Sequence, residues 1–148
     1  MARTQDARPA SGYSGTPLAQ KLGIGPGQCL HVAGAPSDYA RLVGPLPAVV
    51  RFSDRLDAGT DLAHFFVTQR APLERSLKAA RRAMRADAVL WVSWPKKSSG
   101  VQSELTEDTV RAVALPLQLV DIKVCAVDAT WSGLKLVIRR EHRAAARR

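Results

Sequence analysis

The stretch Asp61–Gly100, DLAHFFVTQRAPLERSLKAARRAMRADAVLWVSWPKKSSG, decides the fold. Its apolar run at 62–67 is short and bounded by polar residues, which predicts a buried strand. A helical segment is predicted over 72–85 and a second strand over 88–94. Strand, helix and strand in this spacing form a βαβ unit with parallel strands and a right-handed crossover. The loop after the second strand is therefore expected at the carboxyl edge of a parallel sheet, where open α/β folds bind ligands.

The helical segment of this unit has one apolar face and one basic face. Its apolar residues recur at the spacing of an amphipathic helix, so we expect them to pack on the sheet. They are Leu73, Leu77, Ala80 and Met84. The basic residues on the opposite face are Arg75, Lys78, Arg82 and Arg85. Two interpretations remain open: a solvated helix surface, or a surface that binds a polyanion or a protein partner. No aromatic residues for base stacking are interleaved with these charges.

The composition is that of an ordinary globular domain with an excess of positive charge. The 148 residues are 46% hydrophobic and 24% charged, which suits one domain. No apolar run approaches the ~18 residues that span a bilayer, and the N-terminus lacks the apolar core of a secretory signal. We therefore expect a cytoplasmic protein with no membrane partner. Cys29 and Cys125 fall in predicted strands and are too few for a disulfide scaffold, so we expect buried free thiols.

The net charge of +9 belongs to two segments of the chain. Residues 70–85 contain six basic residues and one acidic residue, a net charge of +5. Residues 139–148 contain five basic residues and one acidic residue, a net charge of +4. The rest of the chain is neutral on balance. If the chain binds nucleic acid, these two basic segments, one helix face and one tail, are expected to make the contacts.

The chain divides into three parts. Residues 1–11 are polar and rich in Pro and Ala, which is typical of a disordered segment. Residues 12–140 form a single Rossmann-like α/β domain, and residues 141–148 form a basic tail. Within the domain, Thr16 is expected to cap a short helix that begins at Pro17, and Ser37 to cap another.

The other strands follow from their apolar runs and connections. Two strands are predicted before the βαβ unit, at 28–33 and 48–52, and two after it, at 121–127 and 134–140. The connection between the last two is too short for a crossover, so they form an antiparallel hairpin. A helix capped by Thr106 precedes the hairpin.

The loop after the first strand reads Gly34-Ala35-Pro36-Ser37-Asp38. The dinucleotide fingerprint G-x-G-x-x-G needs several glycines so that backbone amides can approach a pyrophosphate. This loop has one glycine, and Pro36 removes a backbone donor. The dinucleotide fingerprint is therefore absent. Asp54, after the second strand, either binds a ribose hydroxyl or forms a solvated pair with Arg55.

The loop Lys96-Lys97-Ser98-Ser99-Gly100 carries the clearest candidate site. Lysine ammonium groups, serine hydroxyls and loop amides can bind phosphate or carboxylate, although the spacing is not that of a P-loop. The alternative is a solvated polar loop. Trp131, in the predicted hairpin connection, either stacks on a ligand or covers the end of the sheet. His31 and His64 lie in apolar strands, and are either a close pair or separate buried neutral histidines. No spacing of ligand residues indicates a metal site.

Several segments together resemble the uncharacterised bacterial family called domain of unknown function 3052 (DUF3052). The segments are Tyr13–Leu18, Trp94–Val101, Leu105–Glu107, Val120–Asp128 and Trp131–Lys135. The similarity covers most of residues 12–140. The family has no assigned activity, so the resemblance implies a fold and leaves the function open.

The order of elements also resembles a reduced S-adenosylmethionine-dependent methyltransferase fold. This resemblance implies six strands in the order 2-1-3-4-6-5, with the last strand antiparallel. It also implies a crevice between Gly34–Asp38 and Thr68–Arg70. Because Gly34-Ala35-Pro36 replaces the glycine-rich loop of that fold, no cofactor is predicted, and S-adenosylmethionine is kept as a possibility.

The leading hypothesis is therefore a three-layer Rossmann-like domain that binds an anionic small molecule and has a binding or regulatory role without demonstrable catalysis. Its predicted ligand-binding residues lie in four loops. They are Lys96, Lys97, Ser98, Ser99, Gly100, Gly34, Ser37, Thr68, Arg70 and Trp131. A degenerate methyltransferase-like protein and a basic adaptor that binds nucleic acid or a protein are the alternatives.

Overall fold

The structure is a computed structural model that describes residues 16–139. The helices are α1 (Leu18–Leu22), α2 (Tyr39–Val43), α3 (Arg70–Ala83) and α4 (Glu107–Ala114). The strands are β1 (Cys29–Ala33), β2 (Arg51–Phe52), β3 (Leu62–Phe66), β4 (Val89–Pro95), β5 (Leu119–Ala126) and β6 (Trp131–Ile138). The predicted disordered segment at 1–11 and the predicted tail at 141–148 lie outside the described residues.

The six strands form one sheet in the order β2-β1-β3-β4-β6-β5. The first four strands of this order are parallel, and β6 is antiparallel to both β4 and β5. This confirms the predicted α/β class, strand order and hairpin. Within residues 16–139, no helix has the length and apolar character needed to cross a membrane.

Helices cover both faces of the sheet. On the α3/α4 face, Leu73, Leu77 and Val110 are fully buried against the strands. On the α1/α2 face, Leu22 and Val43 are fully buried over the opposite sides of the same strands. Because side chains alternate along a strand, neighbouring strand residues belong to different faces. Both cores therefore share the central strands β3 and β4.

Several element boundaries differ from the sequence-based ones. The N-cap of α1 is Pro17 and not Thr16, because Pro17 has an extended ψ of 142° and lies outside the helix. Asp38, not Ser37, precedes α2, and its side chain makes no capping hydrogen bond. β2 is shorter than predicted because Val49 has a φ of 63°, which breaks the extended geometry. Trp131 belongs to β6 and not to the hairpin connection.

The edge strand β5 contains a bulge between Asp121 and Lys123. Asp121 is paired with Leu136, on the α3/α4 face, and its carboxylate accepts a hydrogen bond from Arg111 of α4. Regular alternation would place Lys123 on that same face. The extra residue, Ile122, shifts the alternation, so Lys123 pairs with Lys135 on the α1/α2 face.

Candidate functional site

The connections that follow β1 and β3 leave the sheet in opposite directions. β1 leads to α2 on one face, and β3 leads to α3 on the other face. Because β1 and β3 are adjacent, their carboxyl ends form a topological switch point. Open α/β sheets bind ligands in the crevice at such a point. The candidate site is therefore the carboxyl edge around these two strands.

Gly34 makes the turn out of β1. Its φ of 73° lies in the left-handed region, which favours glycine. A Cβ atom at Gly34 would lie 2.5 Å from the carbonyl oxygen of Phe66, at the end of β3. Only glycine fits here, and the chain bends sharply across the end of β3. This is the role of the first glycine in a Rossmann loop.

The end of β2 adds a free carboxylate to the same edge. The carbonyl of Ser53 lies 3.1 Å from His31 Nδ1, and the hydroxyl of Ser53 accepts a hydrogen bond from the Arg55 amide at 3.0 Å. These bonds fix the loop. Asp54 is exposed, and within residues 16–139 no hydrogen bond or ion pair engages its carboxylate. Asp54 and Arg55 are both exposed, as expected for a solvated pair.

The loop after β3 is bonded to the segment that precedes α4. The Thr68 carbonyl accepts hydrogen bonds from the Glu104 amide at 2.9 Å and from the Ser103 hydroxyl at 3.2 Å. The carboxylate of Glu104 accepts a hydrogen bond from the Arg70 amide at 2.9 Å, in the first turn of α3. An acidic side chain of the protein thus occupies this helix N-terminus, which would otherwise attract an anion. A cleft of about 430 Å³ lies beside it, lined by Thr68, Gln69, Gln102, Ser103 and Glu104.

The predicted anion-binding loop forms a 3₁₀ turn at Lys97–Ser99, and Gly100 ends this turn with a φ of 78°. The Ser99 hydroxyl donates a hydrogen bond to the Lys96 carbonyl at 2.6 Å, so it is already used within the loop. The Lys96 amide donates to Thr130 of the hairpin at 2.7 Å. The side chains of Lys97 and Ser98 are exposed. The loop therefore leaves β4 beside the hairpin, on the side away from β1.

A second cleft, of about 380 Å³, opens between this loop and the start of α4. It is lined by Trp94, Pro95, Lys96, Lys97, Leu105, Thr106, Glu107 and Ser132. The negative charge of Glu107 would repel an anion in this cleft, whereas the two lysines would attract it. Glu107 also forms an ion pair with Arg111. Thr106 accepts a hydrogen bond from the Thr109 amide, as expected for the cap of α4.

Trp131 is half-buried and packs edge-on against Phe66, with ring centroids 5.0 Å apart. Trp131 begins β6, where it is paired with Pro95 of β4, and its side chain extends along the α1/α2 face to Phe66 of β3, which also adjoins Gly34. The predicted site residues contact different partners. Gly34 and Trp131 both adjoin Phe66, Thr68 and Arg70 are bonded to Glu104, and Lys96 is bonded to Thr130, next to Trp131. Ser37 is exposed in the β1 loop. Ligand binding by these residues stays a prediction.

A buried polar chain runs beneath this edge, from α2 through β3 to β4. Tyr39 Oη lies 3.0 Å from His64 Nδ1, and His64 Nε2 lies 2.7 Å from Ser93 Oγ. His64 and Ser93 are fully buried. In the arrangement that satisfies both residues, the Tyr39 hydroxyl donates to Nδ1 of His64, and Nε2–H of His64 donates to the Ser93 hydroxyl. Every polar hydrogen of Tyr39 and His64 then has an acceptor. Burial lowers the pKa of His64 from 6.5 to about 3 and raises the pKa of Tyr39.

His31 and His64 do not form a pair. His31 is aligned with Ala63, and Val32 is aligned with His64, so the two imidazoles point to opposite faces. His31 packs edge-on against Phe65, with ring centroids 6.0 Å apart. The interpretation as separate hydrogen-bonded histidines holds, with the correction that His31 is only half-buried. Cys125 is likewise half-buried, whereas Cys29 is buried, and both are free thiols.

Sequence reasoning missed Tyr39 and Ser93 as partners of His64. The one available signal was that Ser93 and His64 are polar residues inside otherwise apolar strands. Buried polar groups require hydrogen-bond partners, so such residues imply a partner on a neighbouring element. Within residues 16–139, no group of His, Cys, Asp and Glu side chains could hold a metal ion.

Comparisons with known proteins concern the fold. No family model matches the chain, and no curated protein matches it, so membership of DUF3052 stays a prediction. Solved structures do match. A S-adenosylmethionine-dependent methyltransferase from Aquifex aeolicus is 15% identical, with a TM-score of 0.58, over 81% of this chain and 87% of that chain. The ribosomal protein L11 methylase of Lactobacillus delbrueckii is 8% identical, with a TM-score of 0.53, over 82% and 74%.

Fibrillarin from Aeropyrum pernix, solved with natively bound S-adenosylmethionine, is 14% identical, with a TM-score of 0.53, over 86% of this chain and 71% of that chain. The identities are low, so the similarity concerns architecture and not activity. The chain has the Rossmann-like fold of S-adenosylmethionine-dependent methyltransferases.

Proposed function

We propose that this chain is a ligand-binding domain that takes S-adenosylmethionine, or its product S-adenosylhomocysteine, at the carboxyl edge of β1, β2 and β3. The observation that carries the proposal is the sharp left-handed turn at Gly34, seated on the carbonyl of Phe66 at the switch point between β1 and β3. The similar fold of proteins that act with S-adenosylmethionine supports this choice of ligand.

The residues at this edge fit an adenosyl ligand in two respects. The exposed carboxylate of Asp54 follows β2, where an acidic residue can accept hydrogen bonds from ribose hydroxyls. Pro36 removes one backbone donor from the β1 loop, but an adenosyl sulfonium carries no pyrophosphate that would need a nest of amides. Gly34 would shape the loop, and Asp54 would hold the ribose.

When bound, S-adenosylmethionine supplies an electrophilic methyl group. For catalysis, the protein would have to position a methyl acceptor and, for many acceptors, remove a proton. Of the described histidines, His64 is fully buried and bonded at both ring nitrogens, and His31 is bonded to a loop carbonyl. His64 is therefore not offered to a substrate, whereas His31 uses Nδ1 to hold the loop after β2. The proposal is accordingly one of binding, in a regulatory or carrier role.

The test is titration calorimetry with S-adenosylmethionine and S-adenosylhomocysteine, accompanied by melting curves. Asp54→Asn removes a charge-assisted hydrogen bond, which predicts an affinity about tenfold weaker. Glu74→Gln is the matched control, because it removes a carboxylate from the outer surface of α3, where that group makes only a 3.9 Å ion pair with Lys78.

Two results would contradict the proposal. The first is the absence of both heat and a melting shift with either ligand at millimolar concentration. The second is an equal loss of affinity in Asp54→Asn and Glu74→Gln, because that would reflect net charge and not a ribose contact.

An anion site at the Lys96–Gly100 loop is the second candidate function. It is favoured because, among the described residues, no carboxylate lies within ion-pair distance of Lys96 or Lys97. If this loop holds the ligand, Lys96→Gln/Lys97→Gln abolishes its binding and Asp54→Asn does not. If Lys96→Gln/Lys97→Gln binds every ligand of the wild-type chain with unchanged affinity, the loop is not the binding site.

The third candidate is an adaptor that uses the outer surface of α3. Arg75 and Arg82 are exposed there, and neither forms an ion pair within residues 16–139. Contacts with phosphates predict that the affinity for DNA or RNA falls steeply with salt. Absent or salt-insensitive binding would remove this candidate.

A further inference from the structure

Three lysines converge at the end of α1 on the α1/α2 face. Lys123 of β5 and Lys135 of β6 are directly opposite each other in the antiparallel ladder. The ammonium group of Lys123 donates a hydrogen bond to the carbonyl of Lys21 at 3.2 Å. The Lys135 ammonium lies 3.8 Å from the position that a Cβ atom at Gly23, the C-cap of α1, would occupy. The ammonium groups of Lys123 and Lys135 thus both lie at the C-terminal end of α1.

Beside these lysines lies a cleft of about 430 Å³ between α1 and the edge strand β5. Its lining includes Gln20 and Lys21 of α1 and Lys123, Cys125 and Ala126 of β5. The Lys21 ammonium lies 3.5 Å from the Ala126 carbonyl, across the cleft. Burial raises the pKa of the Cys125 thiol, and the charges of Lys21 and Lys123 act in the opposite direction. Both ammonium groups are therefore close to the cleft.

This arrangement of charges is unfavourable by itself. Like charges directly opposite in an antiparallel pair destabilise the ladder. Within residues 16–139, no carboxylate lies within ion-pair distance of Lys123 or Lys135. The C-terminus of a helix carries only about half a negative charge, which is too little to balance the ammonium groups of Lys123 and Lys135.

The bulge at Ile122 creates this cluster. With regular alternation, Lys123 would lie on the α3/α4 face with Asp121, where an acidic neighbour is available. The bulge places it opposite Lys135 instead. Bulges often re-aim a side chain at a functional site, and here the result is a concentration of positive charge beside a cleft.

We infer that the cleft between α1 and β5 binds a multivalent oxyanion of the phosphate class. Two or more ammonium groups balance a dianion, and lysine is a common point-charge ligand of phosphate. This site is separate from the proposed adenosyl site. β5 lies four strands from β1 in the sheet, which corresponds to about 19 Å at the usual strand spacing.

The competing explanation is that the lysines only cap the C-terminal carbonyls of α1. The two explanations predict opposite changes in the melting temperature of Lys123→Gln, measured in dilute buffer without multivalent anions. Relief of like-charge repulsion predicts a higher melting temperature, whereas loss of a cap predicts a lower one. A lower melting temperature for Lys123→Gln would therefore overturn the inference.

The binding test uses inorganic phosphate, pyrophosphate and adenosine monophosphate, each compared with sodium chloride at the same ionic strength. We expect at least one of them to raise the melting temperature of the wild-type chain. Lys123→Gln/Lys135→Gln should weaken the binding measured by calorimetry at least about tenfold, because it removes the Lys123 ammonium group from the cleft lining and the Lys135 charge directly opposite it. The three probes distinguish a free oxyanion from a phosphate group carried on a nucleoside.

Arg41→Gln/Lys78→Gln is the control, because it removes the same charge from exposed positions of α2 and α3, away from this cleft. Occupancy should also protect Cys125 from alkylation by iodoacetamide, since its thiol lines the cleft. The inference fails if no probe binds the wild-type chain. It also fails if the control loses as much affinity as Lys123→Gln/Lys135→Gln, or if alkylation of Cys125 is unaffected at saturation.

Discussion

The two faces of the sheet are built in different ways. On the α3/α4 face, helices of 14 and 8 residues pack through apolar side chains. On the α1/α2 face, both helices have only five residues. The sheet below them presents polar groups to the helices: the Trp91 indole donates a hydrogen bond to the Leu22 carbonyl at 2.9 Å, and His64 meets Tyr39.

The difference shows how the candidate crevice is positioned. A five-residue helix has almost no stability of its own, and apolar burial has no direction. Directed hydrogen bonds from buried strands can therefore fix where α1 and α2 lie. Because the loop at Gly34 leads straight into α2, the bond between Tyr39 and His64 also fixes one wall of the crevice.

The first prediction concerns the apolar face. Leu77→Ala should lower the free energy of unfolding by about 2–5 kcal/mol, because a fully buried leucine is replaced and a cavity remains. Urea unfolding monitored by tryptophan fluorescence measures the loss. Leu115→Ala is the control, since Leu115 is 52% exposed, and its effect should stay within about 0.5 kcal/mol. Equal effects of the two substitutions would mean that α3 does not anchor this face.

The second prediction concerns the polar chain. His64→Leu leaves the hydroxyls of Tyr39 and Ser93 buried without their partner, at a cost of about 1–3 kcal/mol for each. Tyr39→Phe/His64→Leu/Ser93→Ala removes all three polar groups together, so it should be more stable than His64→Leu alone. Urea unfolding of both variants gives the comparison. If the triple variant is the less stable one, the polar chain is not the reason for the loss.

The third prediction concerns acid. The pKa of His64 is about 3 in the folded chain and 6.5 as its ordinary value, so only the unfolded chain takes up this proton between those pH values. The contribution of His64 to the free energy of unfolding is therefore fully present above pH 6.5. It decreases as the pH falls below that value, by about 1.4 kcal/mol per pH unit. Urea unfolding at pH 6.5 and at pH 5 should thus differ by about 2 kcal/mol from this group. The triple variant should lack this difference between the two pH values. If its free energy of unfolding changes with pH as much as that of the wild-type chain, other groups are responsible.

The elements of the apolar face follow from local patterns, because the run at 62–67, the helical stripe around Leu77 and the short hairpin connection each specify one element. The order of the strands in the sheet comes from the resemblance to the methyltransferase fold. Even the cap at Thr106 is readable, because a capping residue bonds its own neighbours in the chain.

The polar features of the α1/α2 face depend on register and could not be read from the sequence. His64 reaches Ser93 only because β3 and β4 align Phe66 with Ser93. Lys123 meets Lys135 only because a bulge shifts the alternation of β5. A shift of one residue moves a side chain to the other face, and no pattern in the sequence marks these offsets.

The last prediction tests the link between the α1/α2 face and the crevice. Gly34 and Gly100 have similar positive φ values, 73° and 78°, so replacement by alanine strains both by about 1–2 kcal/mol. A Cβ atom at Gly34 also meets the Phe66 carbonyl at 2.5 Å, whereas one at Gly100 has no neighbour within 4 Å. Gly34→Ala should therefore destabilise the chain more than Gly100→Ala.

The measurements for this pair are urea unfolding and hydrogen exchange. The backbone of Phe66 is held in β3 by the sheet, so the clash must be relieved by movement of the loop after β1. Because this loop leads into α2, amides of α2 should exchange faster in Gly34→Ala than in Gly100→Ala. If α2 exchanges equally in both variants, the turn and the helix move independently. In that case only the bond between Tyr39 and His64, and not the turn at Gly34, connects the buried face to the crevice.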